Sequence, residues 1–287
     1  MKTTYQRKHW TLGVLNVARS AYEKLEPLWD EEWWLDYKVE DEYESSPLDC
    51  IRFLSTVDRC DVGRATNVLA LSSFTKEPRL VYDVILNALK KTELYESLID
   101  RTASLDEDGL DCALTLVRQL STATTVQDKT SKRTVNLETP GKRTAFFSDE
   151  VKKLLLSKVQ WVVNWWKAAE NQDSLELGVV VHCRNKSGAK ILGNVDFITH
   201  DTVFDLKFSD ELFGGISFIQ LLMYFVIGKF YMKLDSFKNI HNVGIMNSKY
   251  TSIVKVDTRN FKRSYVEQIL KEYDLEMTDE MKEYWPE

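Results

Sequence analysis

The twelve residues Asp196-Phe197-Ile198-Thr199-His200-Asp201-Thr202-Val203-Phe204-Asp205-Leu206-Lys207 decide how this chain reads. Two largely apolar runs, 191–198 and 202–208, flank a polar break at His200-Asp201. Both runs are short and rich in β-branched and aromatic residues, so both read as strands. A two-residue hairpin turn at the break places Asp196 opposite Asp205. Alternation then puts Asp205 and Lys207 on one face, with Phe204, Leu206 and Phe208 on the other. In the first strand Asn194, Asp196 and Ile198 are expected to share a face, opposite Val195 and Phe197.

Two adjacent carboxylates repel, and a divalent cation is the simplest reason for keeping them together. Hard oxygen donors select Mg²⁺ or Mn²⁺ over thiophilic metals. A lysine two residues from such a carboxylate can orient or deprotonate a water, or offset charge developing on a phosphate. The plainer reading of Asp-x-Lys is a solvent-facing hairpin with ordinary charges.

The run 216–230, ISFIQLLMYFVIGKF, is long and apolar enough for a buried helix. Gln220 and Tyr224 are four apart and therefore share a helical face. As buried polar groups they need partners, in the sheet, in each other, or over the carboxylate pair.

Gly193-x-x-Asp196, Asp205-x-Lys207 and Gln220-x-x-x-Tyr224, in this order on strand, strand and helix, resemble the RecB-like branch of the PD-(D/E)XK nucleases. The resemblance covers roughly residues 148–271. It implies an α/β fold, a restriction-endonuclease-like mixed sheet flanked by helices, and metal-dependent hydrolysis of DNA phosphodiesters. It further implies that Asp196, Asp205 and the Leu206 carbonyl ligate Mg²⁺ or Mn²⁺. Lys207 would support the attacking water and the transition-state charge, while Gln220 and Tyr224 position substrate and lysine. Strands at 243–246 and 252–256 suit the family's closing strands. Val195 stands where the family often has proline. The acid usually supplied by the preceding helix is not obvious, with Glu170 the first candidate and Glu176 the second. Some RecB-like nucleases carry an iron–sulfur cluster on cysteines after the core, but no cysteine follows Cys183 here, so no cluster is expected.

At 287 residues the chain suits two domains, and a 44% hydrophobic fraction with eight Trp allows sizeable cores. No basic-then-apolar start suggests a secretory signal, and the apolar run near 216 is too short to span a membrane, which takes about 20 residues. Cys50, Cys60, Cys112 and Cys183 have no Cys-x-x-Cys spacing and read as reduced, buried residues of a cytoplasmic protein. His182, His200 and His241 are too scattered for a recognisable zinc site. Gly214-Gly215 lacks the Lys-Ser/Thr of a phosphate loop, and no Gly-x-Ser-x-Gly elbow occurs. An RNase H-like fold also gathers carboxylates, but has no need of a lysine two residues after a strand aspartate.

The net charge of −6 argues against a simple DNA-coating protein. Between Phe225 and Lys271, however, nine Lys and Arg face only three acids. Lys229, Lys249, Lys255 and Arg259 are therefore candidate contacts to single- or double-stranded DNA. A solvated sheet edge is the plainer account. Eight of the fifteen residues 30–44 are acidic and interleaved with aromatics, which suits a solvated segment or a docking surface for a basic partner.

Residues 1–120 read as a mostly helical N-terminal domain that could take a protein partner. Helices are expected over 10–25, 47–54, 63–73, 79–91 and 107–120. Residues 121–147 are Thr/Ser-rich and basic, with a turn at Pro140-Gly141, and read as a linker or arm. Ser148 suits an N-cap for a helix over 149–170, which opens the nuclease-like part, 148–287. The alternative function is a non-catalytic nuclease-fold module that binds nucleic acid or a partner enzyme.

Overall fold

Ser148 accepts the Val151 N–H and starts a helix over Asp149–Glu170, with two acids in its first turn. Three antiparallel strands follow it. The computed structural model describes residues 11–25, 38–39, 59–76, 98–126, 147–171, 174–209 and 215–287. In chain order its elements are β1 (Thr11–Gly13), α1 (Val14–Leu25), β2 (Lys38–Val39), α2 (Arg59–Thr75), α3 (Glu107–Val126) and α4 (Asp149–Glu170). Next come β3 (Glu176–Arg184), β4 (Lys190–Ile198), β5 (Thr202–Lys207) and α5 (Gly215–Val226). The chain ends with β6 (Asn242–Asn247), β7 (Ser252–Asp257), α6 (Arg263–Glu272) and α7 (Asp279–Tyr284). The expected helices over 47–54 and 79–91 lie outside the described residues.

The architecture is α/β, with one mixed, open sheet. Strands β3, β4 and β5 form an antiparallel meander, and α5 crosses over to β6, which lies parallel to β5. A parallel neighbour needs such a crossover, because a tight turn cannot supply one. β7 returns antiparallel to β6. Two short strands complete the sheet, β1 parallel to β4 and β2 antiparallel to β7.

The hairpin forms in the expected register. Phe197 pairs with Phe204 and Ile198 with Val203, and the Thr199 N–H closes the turn on the Thr202 carbonyl at 2.9 Å. The Phe197 and Phe204 rings stack at 4.7 Å. The ladder stops there, one rung before Asp196 and Asp205. β3 occupies one whole edge of β4, so β1 and β5 share the other, at its two ends. Between Leu192 and Phe197 the two partners diverge, and β4 has no strand on that edge.

One expectation about faces fails. Val195 packs with α5, whereas Phe197 packs with α4 and Ile198 with α5 again. β4 therefore changes face at Asp196, and Asn194, Asp196 and Ile198 do not form one row. The cause lies in β3. Gly178 has φ +64°, and its rung opposite Asp196 is missing while the register continues on either side. Only glycine reaches that conformation at little cost.

Two layers cover the sheet. On one side Val14, Ala18 and Ala21 of α1 join α5, α6 and α7 over Val195 and Val203. On the other, α2, α3 and α4 enclose Phe197, Phe204 and Leu206. Described residues of 1–120 and of 148–287, expected in separate domains, pack together here. β1 belongs to the sheet, and both cores draw residues from each part. The expected linker also begins inside α3, which runs on to Val126. Among the described residues no helix is long and apolar enough to cross a membrane.

Candidate active site

Asp196 lies where β4 and β5 part. Its Oδ2 accepts the Leu206 N–H at 2.7 Å, so a carboxylate takes the place of a strand partner. Asp205 projects from β5 on the α5 side and is only 5% exposed. The Lys207 ammonium stands 2.7 Å from its Oδ2. That oxygen is sealed from solvent and meets no aligned hydrogen-bond donor. The contact with Lys207 is therefore one of charge more than of hydrogen-bond geometry.

Gly193 explains how α5 reaches this place. A Cβ there would stand 2.3 Å from Tyr224 Cε1, so only a bare backbone lets the ring lie on β4. Gln220 Nε2 donates to the Tyr224 hydroxyl at 2.6 Å. The hydroxyl's own proton is left to point elsewhere, and the carboxylates are its charged neighbours. The Gln220 Oε1 is buried without a hydrogen-bond partner.

The electrostatics follow from burial. Desolvation, and then the Asp205 charge, push Asp196 well above the usual carboxylate range, and the Leu206 N–H and Lys207 only partly oppose this. Burial and the neighbouring charge therefore disfavour the ionised form of Asp196. Burial pulls Lys207 down, but Asp205 and then Asp196 outweigh it, and Lys207 remains an ammonium. Burial, with both carboxylates near, raises Tyr224 and keeps it a neutral phenol.

The structure thus brings Asp196, Asp205, Lys207, Tyr224 and Gln220 together. It also adds a residue absent from the sequence reading. Asn67 of α2 donates through Nδ2 to the Leu206 carbonyl at 3.0 Å, while its Oδ1 is buried without a hydrogen-bond partner. Leu206 therefore gives its N–H to Asp196 and its carbonyl to Asn67. In the structure α2 is buried almost all round, at Val62, Ala65, Thr66, Leu69, Ala70, Ser72 and Ser73, which the sequence alone does not show. An Asn inside such a helix needs a partner.

The other expected residues lie apart. Glu170 ends α4 and Glu176 begins β3 opposite Ile198, both exposed. Among the described residues no three His, Cys, Asp or Glu side chains converge on a cation site, so neither glutamate completes the pair. Lys229 sends its ammonium to the carbonyls of Phe237, Lys238 and Ile240 at 3.2, 2.9 and 2.7 Å, where it holds a loop. Arg259 forks onto Asp257. Lys255 lies over the Phe204 ring at 5.7 Å, on the α4 side. Lys249 is buried and follows Ser248, whose N–H bonds the Lys207 carbonyl at 2.8 Å. These four do not form one basic patch beside the carboxylates. Cys112 and Cys183 are free and buried, and burial pushes each thiol up to about 11.

A groove of about 440 Å³ lies away from this centre, at the hairpin tip, between Trp165, His200, Asp201 and Lys255. The carboxylate pair does not line it. Size would favour the groove, but the perturbed, mutually repelling acids are the stronger mark of chemistry. Comparisons with known protein families, with curated proteins and with solved structures give no match to this chain.

Proposed function

We propose that this chain is a metal-dependent nuclease of the PD-(D/E)XK type, with the restriction-endonuclease-like arrangement, hydrolysing DNA phosphodiester bonds. The observation that carries this reading is the set Asp196, Asp205 and Lys207 at the parting of β4 and β5, backed by Tyr224 and Gln220. The donors fit a hard divalent cation. Two carboxyls crowd together, one is forced towards its protonated form, and the other has a sealed, poorly partnered oxygen. Asp196 and Asp205 would hold Mg²⁺ or Mn²⁺. The Leu206 carbonyl would join them once the Asn67 amide turns away or shares it. Bound there, such a cation supplies Lewis-acid stabilisation of the phosphate and a lowered pKa for its water.

Lys207 has a narrower role than its residue type allows. As an ammonium it donates to a water or to a phosphate oxygen and offsets developing negative charge. It does not act as a base near neutral pH. Tyr224 keeps its proton and can donate it towards the same phosphate, with Gln220 fixing the hydroxyl's orientation.

The test is cleavage of single- and double-stranded DNA in Mg²⁺, Mn²⁺ or EDTA, with wild type, Asp205→Ala and Lys207→Ala compared. Metal-dependent cutting that vanishes in both variants, with folding retained, is expected. A folded wild type that cuts nothing favours the second reading, a nuclease-fold module that binds nucleic acid or a partner enzyme. Among the described residues no third acid stands beside Asp196 and Asp205, and this is what speaks for that module.

A further inference from the structure

The sheet is left open to solvent over part of one face. Val181 and Cys183 of β3, with Ile191 and Val195 of β4, point into the core beneath α5. Alternation sends their neighbours to the opposite face. On that side the α4 core takes up Leu177 and Phe197. Farther from the hairpin tip the same side carries Val180, His182 and Arg184 of β3, and Lys190, Leu192 and Asn194 of β4. All of these but Leu192 are exposed. Val180, at 50%, is the one large apolar side chain exposed among the described residues. The register sets Arg184 directly opposite Lys190, and His182 opposite Leu192. Like charges in directly opposed positions destabilise the strand pair. Arg184 Nη1 donates to the Gly188 carbonyl at 3.1 Å, which anchors a guanidinium that has five N–H groups to offer. The acids nearest the adjoining turn have other partners. Asp274 accepts the Ser187 N–H at 2.9 Å, and Glu276 pairs with Lys186.

Two opposed cations beside an exposed apolar side chain gain from an anion that lies between them. A phosphodiester strand has that character, with charge along its backbone and apolar faces on its sugars and bases. The strand direction adds a destination. From Lys190, β4 runs past Leu192 and Asn194 to Asp196, roughly 20 Å away at about 3.3 Å per residue. Among the described residues no strand borders β4 between Leu192 and Phe197 on its β5 edge, so the face leads to the opening that holds Asp196 and Asp205. We propose that this face of β3 and β4 is the track on which a single DNA strand reaches the candidate centre, with Arg184 and Lys190 holding phosphates well away from the bond to be cut. This inference rests on the nuclease reading and names the surface that carries the strand. No bond is made or broken on it. A second copy of this chain is a poorer occupant, because a two-fold contact there would bring the same cations together.

The test measures binding of a fluorescent single-stranded oligonucleotide by anisotropy, in Ca²⁺ and over a range of salt, for wild type, Lys190→Glu and the double variant Arg184→Ala with Lys190→Ala. A single strand releases about 0.7 of a counterion for each phosphate contacted, so the double variant should lower the salt slope by about 1.4 and weaken binding roughly twentyfold at about 0.1 M salt. Lys190→Glu turns a repelling pair into an attracting one. It should therefore melt no lower than wild type while binding the strand more weakly, a split that a merely structural role does not produce. A wild type that binds DNA while the double variant keeps its affinity and salt slope overturns this inference alone. So does a dimer, seen by sedimentation, that the double variant dissolves, because the face then belongs to a second copy. A wild type that neither binds nor cuts DNA overturns the nuclease reading, and this inference falls with it.

Discussion

Asp196 should set the pH behaviour of the metal-free protein. Its burial and the Asp205 charge raise its folded pKa above the unfolded value. Between those two values the folded state holds a proton that the unfolded state has lost. Stability therefore falls as pH rises through that window, and is greater on its acid side. Asp196→Asn removes the titration but keeps an oxygen for the Leu206 N–H. In EDTA the variant should melt higher than wild type at pH 7, and its Tm should vary less between pH 4 and 7. On the proposed nuclease reading a divalent cation takes the proton's place, so Mn²⁺ should raise the Tm of wild type at pH 7 and leave Asp196→Asn nearly unmoved. At a hundred times Kd that stabilisation is about 2.7 kcal/mol. Calorimetry across pH, with and without Mn²⁺, measures both effects. Equal pH profiles for the two proteins would count against a raised Asp196 pKa. Lys229 shows the opposite lesson at the same scale. Its sequence context suggests a phosphate contact, but its ammonium satisfies three loop carbonyls. Charge counted along a chain does not reveal which charges are already engaged.

The elements show which parts of the site a sequence can reveal. The β4–β5 register was legible because a two-residue turn and a period of two leave few choices, and Phe197 does face Phe204. Gln220 and Tyr224 were legible because a four-residue spacing fixes a helical face, and they do bond each other. The change of face at Asp196 was not, since it depends on a left-handed Gly178 in a neighbouring strand. β1 and β2 were missed because three and two residues are too few to show a period. Asn67 was missed because its partner is 139 residues away. Yet α2 lies against β5 so closely that a Cβ on Gly63 would touch Phe208 at 3.4 Å. Asn67→Ala should leave the Leu206 carbonyl without its donor and cost about 1–3 kcal/mol, read by urea denaturation. If α2 also serves the site, the variant should bind Mn²⁺ more weakly by titration calorimetry. A loss of stability with unchanged Mn²⁺ affinity would make Asn67 a structural clamp only.

At the scale of the molecule, the described N-terminal helices pack into the same α/β body as the sheet. Val14 of α1 seals one core, and Val62, Leu69, Leu110, Leu114 and Val117 of α2 and α3 seal the other. The Lys152 ammonium, buried in α4, finds its carboxylate on Asp111 of α3 at 2.8 Å. Tyr273 near the end of α6 finds its acceptor on Val14. A fragment of residues 148–287 would lose all of these at once. Each buried Val or Leu contributes about 1.5–3 kcal/mol, and whole domains are stable by only about 5–15 kcal/mol. Six such side chains, at the lower figure, already represent about 9 kcal/mol of lost cover. The fragment would also strand the Lys152 charge against an uncovered apolar face, which is costly unless the charge is neutralised or hydrated. Expressed alone, it should aggregate or bind a hydrophobic dye, and show no cooperative melting. The full chain should melt in one main transition in which α2 and the sheet unfold together. Hydrogen exchange can read this directly, because amides of α2 and β5 should then open with the same free energy. A fragment that melts cooperatively and cuts DNA would place the fold boundary at residues 121–147 after all, and would reduce α1 and α2 to a removable cover.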